Sequence, residues 1–181
     1  MLAKPLDKIT LEDLKALLGV AHESKTLEFK SQLSGKDANL ALLKGVSGFA
    51  NTGGGDFLIG MEAKDGIAHA ISGIALSDID NEKQKLENIL QAGLEPRLPR
   101  IDIHPIPCGD GHFVLLIRVP YSWIGPHRVI SNNVFYGRNS ASTYPLAVSE
   151  LRSAFGFGDA AADRIRAFRT GRLARIGAVF A

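Results

Sequence analysis

Two glutamates and a lysine stand close together near the start of the chain: Glu23, Glu28 and Lys30. The stretch Thr26 to Lys30 reads TLEFK and alternates apolar and polar residues, as a half-buried strand does. Side chains repeat every second residue along a strand, so Glu28 and Lys30 share a face while Phe29 turns to the core. Paired carboxylates that hold a hard divalent ion can activate a water and clamp a phosphate, while a lysine stabilises the developing charge. The same residues also make an ordinary solvated face with a weak Glu–Lys pair. Spacing alone leaves both readings open.

A second group lies further along, at His127, Arg128, Arg138 and Asn139. Arg138-Asn139-Ser140 follows the apolar Val134–Tyr136 and offers guanidinium, amide and hydroxyl donors, the groups that bind phosphates and base edges. Trp123, Tyr136 and Tyr144 are candidate stacking surfaces for single-stranded bases. The competing reading is an arginine that ties a loop to a carboxylate such as Glu150, with the rings in the core. Gly53-Gly54-Gly55 comes after a helical stretch, at the negative end of its dipole, and lacks the Lys-Ser/Thr of a P-loop. It reads as a left-handed helix stop and chain reversal, with an anion nest as the alternative. Asn51 and Thr52, just before it, could cap helix carbonyls or touch a ligand.

Composition narrows the setting. The chain has 181 residues, 45% hydrophobic and 22% charged, which suits one soluble globular domain. No apolar run approaches the about 20 residues of a membrane span, and MLAKPLDKITLEDLK has no secretory apolar core. The single cysteine, Cys108, excludes an internal disulfide and a cysteine-rich zinc site. A cytoplasmic protein without a membrane partner is expected. The net charge is +2, but it is unevenly spread. Between Asp159 and Ile176 lie five arginines (Arg164, Arg166, Arg169, Arg172, Arg175) and two aspartates, which leaves the remainder at −1. Nucleic-acid affinity from bulk charge would sit in that tail, and the body would need a local patch.

These residues need elements to hold them. Thr10-Leu11-Glu12-Asp13 begins a short helix over about 11–18, in the manner of a capping box. Asp37 can cap a helix running to about Asn51, with Leu40, Leu43, Val46, Phe49 and Ala50 as its apolar positions. Asp65-Gly66 predicts a hairpin of Asp56–Glu62 with Ile67–Ile71. Ser77 caps a second long helix that Pro96 and Pro99 follow. Ile101–Ile106 and His112–Val119 read as paired strands, and Asn132-Asn133 as a two-residue hairpin turn. Val148–Phe155 is a short helix. The expected fold is α+β, with a mixed, mainly antiparallel sheet packed with helices. A body over 1–155 would be followed by a linker and a basic amphipathic helix over 156–181, a surface through which copies could pair.

Several pieces in order resemble one family. They are Glu23-Ser24-Lys25-Thr26-Leu27-Glu28-Phe29-Lys30, Phe49-Ala50-Asn51-Thr52-Gly53-Gly54, Leu58-Ile59-Gly60-Met61-Glu62, Pro126-His127, Tyr136-Gly137-Arg138-Asn139-Ser140-Ala141 and Ser149-Glu150-Leu151-Arg152. The order is similar to that of the Schlafen AlbA_2 domain, over about residues 20 to 155. The resemblance implies a nucleic-acid partner, DNA or RNA; the candidate contacts, by side-chain chemistry, are Lys44, Asn51, Arg118, His127, Arg138 and Asn139, beside the arginine tail. It also implies two other activities. One is an ATP-binding regulator. The other is a nuclease that uses Mg²⁺ or Mn²⁺ on three carboxylates. Carried over, Glu23 and Glu28 are the first two, with Lys30 beside them. The third falls near Ala63, which has no donor atom, and Glu62 and Asp65 are its acidic neighbours.

Overall fold

The computed structural model describes residues 1–156 apart from 34, 36 and 141, together with 166–168 and 172. Its centre is a pair of apolar strands, β2 (Gly55–Ile59) and β8 (His112–Val119), paired antiparallel. Strand β1 (Leu27–Lys30) runs parallel to β2 on one side. Strands β7 (Asp102–Gly109) and β5 (Ile74–Ala75) both pair with β8. β7 carries Pro105 and Pro107, which have no N–H to offer, and so its outer edge resists pairing with another chain.

Both faces of this sheet are covered, which explains the unbroken apolar runs of β2 and β8. On one face Phe57, Ile59, Leu115, Ile117 and Val119 pack against α2 (Ala38–Thr52) and α3 (Ile79–Gly93). On the other, Leu58, Val114 and Leu116 meet Phe29, Ile106 and the N-terminal residues Ile9 and Leu14. Leu14 lies on the short helix α1 (Leu11–Lys15), where the Asp13 carboxylate accepts the Thr10 N–H at 2.9 Å.

α2 lies close to both sheets because two of its residues have no side chain. A Cβ at Gly45 would stand 2.5 Å from the Phe57 ring, and one at Gly48 would stand 3.1 Å from the Arg138 stem. A second, four-stranded sheet then packs beside α2, in the order β11 (Thr143–Pro145), β10 (Val134–Arg138), β9 (Arg128–Val129) and β6 (Leu94–Glu95).

The α+β reading, mixed and mainly antiparallel, is what the chain adopts. Several details differ. Gly60, at φ +101°, interrupts the expected strand 56–62, and the hairpin is made by β3 (Met61–Lys64) and β4 (Ile67–Ile71). Its turn is Asp65-Gly66, both left-handed, as the sequence indicates. Asp78 rather than Ser77 caps α3, accepting the Asn81 N–H at 2.9 Å. The connection from β9 to β10 spans residues 130–133 instead of two asparagines, because Val129 pairs with Val134. Residues 148–156 are helical. The proposed basic helix lies outside the described residues, except for 166–168 and 172. No helix among the described residues is long and apolar enough to cross a membrane.

Candidate functional site

β1 is an edge strand, and its outer side is closed by the preceding segment and by side chains. The Phe29 N–H donates to Glu23 Oε1 at 3.2 Å, and the Leu27 N–H donates to Ser24 O at 3.3 Å. Arg138 binds one carbonyl of β1 and one just before it: its Nη2 donates to Leu27 O at 3.3 Å and to Ser24 O at 2.9 Å. Nη1 donates to Thr143 Oγ1 at 3.3 Å and forms an ion pair with Glu28 Oε2. The other Glu28 oxygen holds Lys30 Nζ at 2.6 Å. Below, the guanidinium carbon sits 4.5 Å from the centre of the Phe49 ring. Arg138 is 3% exposed. The sequence offers it as a contact to nucleic acid, but the fold turns it inward as a clasp between β10 and β1. The competing reading had the right kind of bond and the wrong carboxylate, Glu150 instead of Glu28.

The end of α2 forms the rest of this seam. The Arg138 N–H donates to Thr52 Oγ1 at 2.9 Å. Asn51 Nδ2 donates to the carbonyls of His127 and Tyr136, each at 2.9 Å, and Asn51 Oδ1 accepts the His127 N–H at 2.7 Å. The His127 ring is buried, with Nδ1 2.6 Å from Pro96 O. A carbonyl only accepts, so Nδ1 carries the proton. Burial holds this imidazole below its ordinary pKa, and the bond to Pro96 opposes the shift in part. The glycines that follow are structural. The Gly54 N–H bonds to Phe49 O at 2.8 Å, with φ +76°, and a Cβ there would lie 2.8 Å from Val119 O.

Arg118 is likewise engaged. It grips the fully buried Asp56 with Nε at 2.8 Å and Nη2 at 3.0 Å, and Nη1 donates to Lys4 O at 2.8 Å. Thus Asn51, Arg118, His127 and Arg138, four of the expected contacts to nucleic acid, point into the protein. Burial gives their donors and acceptors partners within the protein. Lys44 is half-buried, its ammonium 5.5 Å from the centre of the Tyr136 ring, and Asn139 is exposed.

Glu23, Lys30, Glu62 and Ala63 do meet, at an open cavity of about 410 Å³ together with Phe29, Ser31 and Gly66. These residues do not fit a divalent ion. Both Glu28 oxygens are held by cations, one Glu23 oxygen accepts a backbone N–H, and Ala63 supplies no donor. Among the described residues, no three His, Cys, Asp or Glu side chains gather as a metal-binding group. A hard cation needs several oxygens at once.

What faces water is a different set. Trp123 is 60% exposed and Tyr121 47%, whereas Tyr136 is buried and the Tyr144 hydroxyl donates to Glu150 Oε1 at 2.7 Å. The Glu150 carboxyl lies below its usual pKa, chiefly because it accepts the Ala147 N–H and then the Tyr144 hydroxyl. Tyr121 escaped the sequence reading. Its signal was the alternation around Ser122, which a non-strand loop does not advertise.

Comparison with known proteins fits this geometry. The Schlafen, AlbA_2 family model matches residues 23–147, the stretch that forms β1, α2, the central strands and the seam. The chain belongs to the Schlafen AlbA_2 family. Solved structures agree with that fold. The AlbA_2 chain is similar to the N-terminal domain of a RecG-related protein from Nitrosomonas europaea, at 19% identity and TM-score 0.52, covering 75% of this chain and 89% of that one. It is also similar to the DIP2311 protein from Corynebacterium diphtheriae, at 22% identity and TM-score 0.50, covering 76% of this chain. The match spans only 26% of DIP2311. No curated protein matches the chain.

Proposed function

We propose that this chain is a nucleic-acid-binding module in which the family motif builds the scaffold and neighbouring exposed residues make the contacts. The observation that carries the reading is the AlbA_2 match over residues 23–147, which makes a nucleic-acid partner the expected one. The name of the Nitrosomonas relative, related to an ATP-dependent DNA helicase, points the same way. The surface supplies cations for phosphates. Lys25, Arg97 and Arg152 are exposed and make no ion pair with any described residue, and Lys44 adds a half-buried fourth.

The test is fluorescence anisotropy of labelled DNA and RNA strands, single and double, titrated with the full chain. Three phosphate contacts on a single strand give a log–log salt slope of about −2. Binding that weakens along such a slope supports the proposal. No binding to any strand at about 50 mM salt, where phosphate contacts are strongest, overturns it. The cleavage reading has its own control. Glu28→Gln removes activity from a carboxylate-dependent nuclease and leaves a binding module's affinity nearly intact.

A further inference from the structure

The loop 120–127 is unusual in presenting two large rings to water while being fixed at both ends. Its pattern of exposure is Tyr121 47%, Ser122 5% and Trp123 60%. Ser122 turns inward and a turn follows at 123–124, so both rings are exposed within three residues of each other. The Ser122 N–H donates to Ala50 O at 2.9 Å, and Gly54 packs so closely on the Tyr121 amide that a Cβ there would lie 2.9 Å from it. At the far end His127 is held by Asn51 and by Pro96. Rings on a pinned backbone lose little freedom when they bind.

The charges nearby are of one sign or already matched. Arg97 adjoins Pro96, the partner of His127, and is exposed. Lys25 adjoins Thr26, whose hydroxyl bonds to Met1 at 2.6 Å, and a Cβ at Gly54 would lie 3.3 Å from the Met1 side chain. Among the carboxylates, Asp56 is sealed by Arg118 and Glu95 is paired with Arg128. Two exposed rings, with exposed cations next in sequence to residues that contact the loop or its glycine support, match an anionic chain with flat, unstacked bases. A duplex hides its base faces, so it gains nothing from the rings.

We propose that Tyr121 and Trp123 form a stacking platform for the bases of single-stranded nucleic acid, with Lys25 and Arg97 on the flanking phosphates. This rests on the nucleic-acid reading above, and the experiment separates the two. Trp123 is the chain's one tryptophan, so its emission reports on this site alone. The full chain is titrated with a labelled oligo-thymidylate strand and with a duplex, following anisotropy and tryptophan emission together.

Emission should be quenched in step with single-strand binding. Trp123→Ala and Tyr121→Ala should each weaken that binding by about 5- to 150-fold, the range measured for loss of one stacked base. Trp123→Phe should recover most of it, and duplex affinity should stay within about twofold, since duplex binding uses phosphates. Both rings are largely exposed, so the alanine variants should keep the parent melting temperature, and Trp123→Phe provides a second check. Binding seen by anisotropy with unchanged emission and full affinity in Trp123→Ala overturns the platform, leaves the nucleic-acid reading intact and assigns the rings to a protein partner. Absence of binding to any strand overturns both.

Discussion

Removing Glu28 should unfold this protein more readily, not merely silence a reaction. In Glu28→Ala, Arg138 keeps its bonds to Ser24 O, Leu27 O and Thr143 but loses its counter-ion. The two side chains are 2% and 14% exposed, so this is an interior pair with a slightly wet edge. Breaking a buried pair by deleting one member costs about 3–5 kcal/mol. The lower end applies because Arg138 keeps three carbonyl and hydroxyl acceptors and the face of Phe49. For a chain of this length about 3 kcal/mol lowers the melting temperature by about 6–12 °C. The assay is thermal unfolding by circular dichroism, with urea unfolding as the equilibrium check. Arg138→Ala should cost at least as much, since it also removes a donor from Ser24 O and from Leu27 O. The double variant should show a coupling of about 0.5–3 kcal/mol. A Glu28→Ala protein that melts within about 2 °C of the parent, or above it, refutes the clasp. A carboxylate held for chemistry in a water-filled cavity would behave that way.

Other consequences follow from the same contacts. Asn51→Ala removes three hydrogen bonds from the seam at about 1 kcal/mol each, so urea unfolding should shift by about 3 kcal/mol. His127 has a native pKa below that of the unfolded chain, so the unfolded state takes up its proton first. Stability should therefore fall as pH drops below about 6.5, the unfolded value. His127→Gln should flatten that part of the urea-midpoint profile. Gly54→Ala meets a left-handed backbone and a carbonyl 2.8 Å away, so it should lower stability by more than about 1 kcal/mol in the same measurement.

How much of this the sequence revealed depended on range. TLEFK declares a strand by alternation, and Asp65-Gly66 declares a turn by backbone preference, because both signals are local. Gly45 and Gly48 look like weak helix positions until Phe57 and Arg138 are seen lying against them. The sequence names the side chains of the seam but not which of them turn inward. Arg138 and Glu28 are 110 positions apart in sequence, and no spacing rule joins them. The side that a guanidinium faces is set by whichever edge strand packs beside it, here β1. Asn51 shows the same limit, since its partners His127 and Tyr136 lie 76 and 85 residues away. The resemblance to the AlbA_2 family carried the fold because it orders many short motifs at once. It could not tell contacts from clasps, since both leave the same residues in place.

The central claim is that the motif residues build the seam while the loop beside it meets the ligand. Hydrogen–deuterium exchange of the full chain, with and without a single-stranded oligonucleotide, tests it most directly. Protection should appear in residues 120–127 and near Lys25 and Arg97, while Phe29 and the Glu62–Gly66 turn exchange as before. Protection concentrated at the cavity of Glu23, Lys30 and Glu62, with the aromatic loop unchanged, would contradict it.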